Sequence, residues 1–238
     1  MAGLVLDRAD PTAVAVVGAI RGGDLDALGR LLAANPGLAT ARIRAVREAR
    51  TLLHVVADWP GHYPNGAATV AALIAAGADV HTRFSGSHAE TPLHWAASND
   101  DVAVLDALLD AGADIEADGA VIAGGTPLDD ATAFAQWRAA HRLVERGART
   151  SLWHAATLGL QDRVEAYYRG PGPEADRALW GACHGGRRAA AEYLLDRGAD
   201  VNWLPPWERL TPLDAAVRSG ATDLATWLRA HGARSTAA

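Results

Sequence analysis

Apolar residues recur along the chain at the three- and four-residue steps of an amphipathic helix. Val102, Leu105, Leu108 and Leu109 form one such stripe, and Leu224, Trp227 and Leu228 another, so each segment has one face to bury and one to wet. Two kinds of punctuation frame the stripes. Thr91-Pro92-Leu93-His94, Thr126-Pro127-Leu128-Asp129 and Thr211-Pro212-Leu213-Asp214, with the looser Thr51-Leu52-Leu53-His54, each open a helix. Threonine accepts a free N–H at the N-cap, proline fits the first turn where no donor is needed, and leucine starts the buried stripe. Gly77-Ala78-Asp79, Gly112-Ala113-Asp114, Gly147-Ala148-Arg149, Gly198-Ala199-Asp200 and Gly232-Ala233-Arg234 close a second helix, with glycine at the left-handed position past its end. The pattern predicts repeated helix pairs.

The spacing of these marks, about 33 residues, and Thr-Pro-Leu-His-x-Ala-Ala at Thr91 to Ala97 resemble the ankyrin-repeat family. The resemblance covers nearly the whole chain. It implies an all-α solenoid of about seven helix-turn-helix units with irregular finger loops, in a single domain over residues 1–238. A capping repeat over 10–37 lacks the Thr-Pro-Leu opening, as a terminal unit with one side toward water often does. Repeats follow at 51–80, 90–115, 125–149, 150–170, 177–201 and 210–234. The connecting fingers are uneven. His81 to Ala89 and Glu116 to Gly124 are long, Arg149 runs almost directly into the next helix, and Arg169-Gly170-Pro171-Gly172-Pro173 replaces the usual close of the fifth unit. Uneven fingers around a groove suit a small-molecule pocket better than a uniform groove does.

Half of the 238 residues are apolar, ample for a continuous core. The net charge is -6 and every basic residue is arginine, which disfavours a nucleic-acid partner. The one basic cluster, Arg42, Arg44, Arg47 and Arg50, reads as a solvated helix or loop face. Cys183 has no second cysteine to pair with, Met1 to Arg8 lacks the features of a secretory signal, and no apolar run approaches the roughly 18 residues that span a bilayer. A cytoplasmic location with no membrane partner is expected. The Arg-only, Ala- and Gly-rich composition resembles ankyrin proteins of high-GC bacteria.

In the family, residues just after the Ala-Ala of each first helix face the concave side together with the fingers. Carried across, this implies ligand or partner contacts from Asp58, Trp59, Ser98, Asn99, Phe134 and His184; the tryptophans Trp95, Trp153, Trp203 and Trp207, and Asp129 in place of the expected histidine or leucine, join them as candidates. Trp95, Trp153 and Trp180 fall at helical spacing and read as seams between repeats. Trp59, Trp203 and Trp207 read as surface, and Trp203-Leu204-Pro205-Pro206-Trp207 as a stiff apolar tip. His54 and His94 occupy the family's histidine position, which bonds neighbouring units; counted from Thr150, His154 falls one position later. Cys183 and His184 point about 100° apart on a helix and form no dyad with each other. No metal-ligand spacing, nucleotide loop or nucleophile elbow is present, so neither metal nor cofactor is expected. Two functions follow. The first is a scaffold or adaptor whose groove holds a protein partner through Trp59, Asn99, Phe134, Trp203 and Trp207. The alternative is a cofactor-independent enzyme or small-molecule receptor in which Asp58, His54, His94, Asp129 or His184 transfers a proton, as in an isomerase, cyclase, lyase or hydrolase.

Overall fold

The computed structural model describes residues 4–236; residues 1–3 and 237–238, the ends of the span expected as one domain, lie outside the described residues. The chain forms two compact units, residues 1–148 and 149–238.

The first unit contains strand β1 (Val5–Asp7), helices α1 (Pro11–Gly22) and α2 (Leu25–Ala34), strands β2 (Arg42–Arg44) and β3 (Ala49–Thr51), and helices α3 (Leu52–Val56), α4 (Gly66–Ala75), α5 (Pro92–Ser98), α6 (Val102–Asp110), α7 (Pro127–Ala133) and α8 (Trp137–Glu145). Helices α1, α3, α5 and α7 pack side by side in one row, and α2, α4, α6 and α8 in a second. Leu53, Leu93, Leu105, Leu108, Leu128 and Leu143 are fully buried between the rows. The all-α stack also carries a small sheet, in which β1 pairs parallel with β2, and β2 antiparallel with β3. The first finger is therefore a hairpin, and Arg42, Arg44 and Arg50 are strand residues rather than part of a helix or irregular loop. The cause is a two-residue alternation, with Ile43 turned in between Arg42 and Arg44.

Within the stack, the residue three past each cap ties its unit to the next. His54 Nδ1 accepts from the Thr51 hydroxyl at 2.8 Å, and its Nε2–H donates to the Glu90 carbonyl at 3.1 Å. His94 repeats this with Thr91 at 2.9 Å and the Gly125 carbonyl at 3.4 Å. Burial pushes both imidazoles below their ordinary range, His54 to about 3, so each ring stays neutral with its proton on the nitrogen facing the carbonyl.

The second unit contains α9 (Leu152–Leu158), α10 (Gln161–Tyr167), α11 (Pro173–His184), α12 (Arg188–Leu195), α13 (Pro212–Arg218) and α14 (Thr222–Ala230). Helices α9, α11 and α13 form its first-helix row, closed over Leu152, Leu179, Leu194, Leu213 and Leu228. Ser151, not Thr150, caps α9. His154 thus stands in the same place as His54 and His94, and its Nδ1 accepts from the Ser151 N–H at 3.2 Å. Helix α11 begins at Pro173, which acts as a first-turn proline rather than a breaker. Among the described residues no helix is long and apolar enough to cross a membrane.

Candidate functional site

Trp180 follows Arg177 by three residues, as His54 follows Thr51. Its indole N–H donates to the Leu210 carbonyl at 2.9 Å. Leu210 immediately precedes the Thr211 cap, just as Glu90 precedes Thr91 and Gly125 precedes Thr126. Trp180 therefore makes the inter-repeat bond that histidine makes elsewhere, but brings a far larger ring. Trp153 stacks on it at 5.9 Å, His184 stacks on it at 5.3 Å, and Trp207 meets it edge-on at 5.8 Å. Trp203 meets Trp207 edge-on at 5.6 Å. Gly181 makes the stack possible, because a Cβ there would lie 2.8 Å from Trp153 and 2.5 Å from the Thr157 hydroxyl.

The C-terminal unit thus gathers four of the sequence candidates, Trp153, His184, Trp203 and Trp207, around a fifth ring that is only 3 % exposed. Trp207 is 51 % exposed and gives the cluster a solvent face. Arg177 lies over Trp153 at 5.1 Å and over Trp207 at 5.6 Å, while Arg218 lies over Trp180 at 5.5 Å and pairs with Glu208 at 2.8 Å. Indole faces take apolar or aromatic side chains at low entropic cost, and the stacked guanidiniums add charge without leaving the apolar surface.

The candidates in the N-terminal unit are placed differently. Asp58 accepts from Arg21 at 2.9 Å and Arg50 at 2.8 Å, joining α1 and β3 to the end of α3. Trp59 sits in the loop between α3 and α4, outside any helix or finger, and is 78 % exposed. The Asn99 amide donates to the Ala57 carbonyl at 2.7 Å and the Ser98 hydroxyl to the His94 carbonyl at 2.9 Å. Asp129 accepts from the Thr126 N–H at 2.8 Å and hydroxyl at 2.9 Å, as a cap partner of α7. Phe134 ends α7 and is exposed. Asp58 and Asp129 stand on opposite sides of α5.

Trp95 leads to residues the sequence did not single out. Its indole N–H donates to Glu90 Oε2 at 2.8 Å, and His88 Nδ1 lies 2.7 Å from the same oxygen. Phe84 stacks on His88 at 4.8 Å and closes the box. Beside Glu90 lies Asp130, wholly buried, whose Oδ2 has no donor. Burial and the adjacent Glu90 carboxylate push Asp130 well above the usual carboxylate range, so one proton held by the pair relieves the repulsion. The signal in the sequence was a carboxylate at the position Trp95 fills one unit earlier. Open grooves lie elsewhere, one beside Ala15, Gly18, Ala27 and Leu31, another beside Val102, Trp137, His141 and Arg142. Among the described residues no three His, Cys, Asp or Glu side chains are grouped to hold a metal ion.

Residues 16–119 match the family model described as ankyrin repeats, in three copies. No curated protein matches the sequence. The matched span holds His54 and His94; beyond it Asp129, His154, Trp180 and Asp214 stand at the corresponding position.

Proposed function

We propose, from the premise that the chain is an ankyrin-repeat protein, that it holds a protein partner on the indole surface of residues 149–238. Ankyrin repeats are generally protein–protein interaction modules. The observation that carries the assignment is the meeting of Trp153, from one repeat, and Trp207, from the finger after the next, on the buried Trp180, with Trp203 of that same finger against Trp207. Tryptophan and arginine in a partly desolvated cluster are the side chains that most often dominate binding energy at interfaces. The enzymatic alternative has less support. Asp58 is held by two guanidiniums, His54 is buried and neutral, and Asp129 serves a helix cap. The single cysteine, Cys183, is buried, and burial pushes its thiol up and out of reach of oxidation. A cytoplasmic location goes with this reading, since a lone cysteine with no disulfide partner is ordinary there.

The assignment is tested by selecting a phage-displayed random peptide library on the full chain and measuring the selected peptides against Trp207→Ala. Loss of a central interface tryptophan costs about 2 kcal/mol or more, so affinity should fall roughly 30-fold. The melting temperature should move little, because half of the ring already faces water. Undiminished binding by Trp207→Ala would remove the surface from consideration.

A further inference from the structure

In five of the other helix pairs a threonine or serine caps the first helix where α11 has Arg177. Thr51, Thr91, Thr126, Ser151 and Thr211 all stand three residues before the position Trp180 holds in its own unit. Helix α11 has no need of a cap there, because it starts a full turn earlier at Pro173. The freed position carries a guanidinium lodged between an indole of the preceding repeat and one of the following finger, at 5.1 Å from Trp153 and 5.6 Å from Trp207.

Its electrostatic setting differs from that of its neighbour. Arg218 also lies over an indole, but Glu208 neutralises it at 2.8 Å and 3.2 Å. Among the described residues no carboxylate pairs with Arg177, in a chain whose net charge is -6. A guanidinium stacked on rings keeps its N–H edge free, and that edge is a planar fork matched to the two oxygens of a carboxylate. The rings also hold the side chain in place, so little further rotamer freedom is lost when an anion arrives. An apolar floor with a preset cation at its edge fits a ligand with an apolar part next to an anionic one.

We infer that Arg177 reads a carboxylate, so that the segment docked on the indole surface carries an acidic side chain beside the apolar or aromatic one the rings take. This inference rests on the indole surface being the docking site, and the experiment separates the two. The probes are the peptides selected on the full chain from a random library, each also synthesised with Asp and Glu changed to Asn and Gln. Affinities are read by tryptophan fluorescence in 0.05 M and 0.5 M NaCl for the native chain, Arg177→Gln, Arg177→Lys and Trp207→Ala.

The expected result is enrichment of peptides with an acidic residue next to an apolar one. Their affinity should fall about tenfold with Arg177→Gln and equally with the neutralised peptide, with no further loss when both changes are combined, as a direct pair requires. Salt should weaken the native complex and leave the Arg177→Gln complex nearly unchanged, and Arg177→Lys should recover only part of the loss because it keeps the charge without the fork. Peptides that lose binding with Trp207→Ala yet lack acidic residues and ignore Arg177→Gln overturn the carboxylate reading alone. Peptides indifferent to Trp207→Ala, or no selected peptide at all, overturn the surface and the carboxylate reading together.

Discussion

Replacing Trp180 with alanine is expected to destabilise the C-terminal unit by about 3–5 kcal/mol, the cost of emptying a buried large aromatic site. Trp180 is 3 % exposed; Trp153 and His184 stack on it, Trp207 meets it by an edge, Arg218 lies over it, and its indole N–H bonds the Leu210 carbonyl. Alanine leaves a cavity where three repeats meet and orphans that carbonyl. Urea unfolding followed by near-ultraviolet circular dichroism measures the loss. Trp180→His offers a graded comparison, because histidine at this position reaches the next unit's carbonyl in α3 and α5. It should retain more stability than alanine while the indole cluster is lost. A loss below about 1 kcal/mol for alanine would mean that Trp180 is a surface ring, and the hub described above would not exist.

The second large effect concerns pH and the N-terminal unit. Asp130 is raised from 3.8 to about 8 by burial first and the Glu90 carboxylate second. An acid raised on folding contributes stability that is full below its unfolded value and is lost as pH rises through its folded value. His54 and His94 act in the opposite sense. Both are lowered by burial, so their contribution is present above their unfolded value of 6.5 and is lost as pH falls. Between about pH 7.5 and 8 both histidines are largely neutral in the folded and unfolded chain, and the sloping contribution left among these three groups is that of Asp130. Native stability should fall there by up to about 1.4 kcal/mol per pH unit. Asp130→Asn keeps the shape, lends an N–H toward Glu90 and removes the titration. It should flatten the slope and stabilise the unit by about 1–3 kcal/mol at pH 8. Denaturant melts at half-unit pH steps check this, and an Asp130→Asn chain that keeps the native slope would contradict it.

How far the sequence foretells this molecule depends on whether the chemistry is local. Thr-Pro-Leu and Gly-Ala-Asp name caps and stops that each helix end satisfies within a few residues, so the helix pairs could be placed before any packing was known. The hairpin at 42–51 was hidden because its sheet is completed by Val5–Asp7, more than thirty residues away. The 169–173 stretch reads as a replaced close of the fifth unit, but proline also opens helices, and α11 starts at Pro173 rather than at 177. Trp180 shows the limit of periodicity. Helical spacing marks a ring as a seam between repeats, and Trp180 is one, yet the same ring organises the surface built by Trp153 and Trp207. Candidates such as Asp58, Asn99 and Asp129 were chosen for their type and offset, but offset does not reveal the guanidinium, carbonyl or cap that each already serves. The Glu90 and Asp130 pair belongs to two different repeats, and only the fold brings those carboxylates together.

The claim that a partner docks on the indole surface is tested most directly by nuclear magnetic resonance of the eight indole N–H groups, one per tryptophan. A selected peptide is titrated into the full chain with each signal assigned by single substitution. The signals of Trp153, Trp203 and Trp207 should move together and saturate at one affinity, while that of Trp59, 78 % exposed in the other unit, stays in place. Movement of Trp59 with the other three unchanged would contradict the account and put the binding surface on the N-terminal unit.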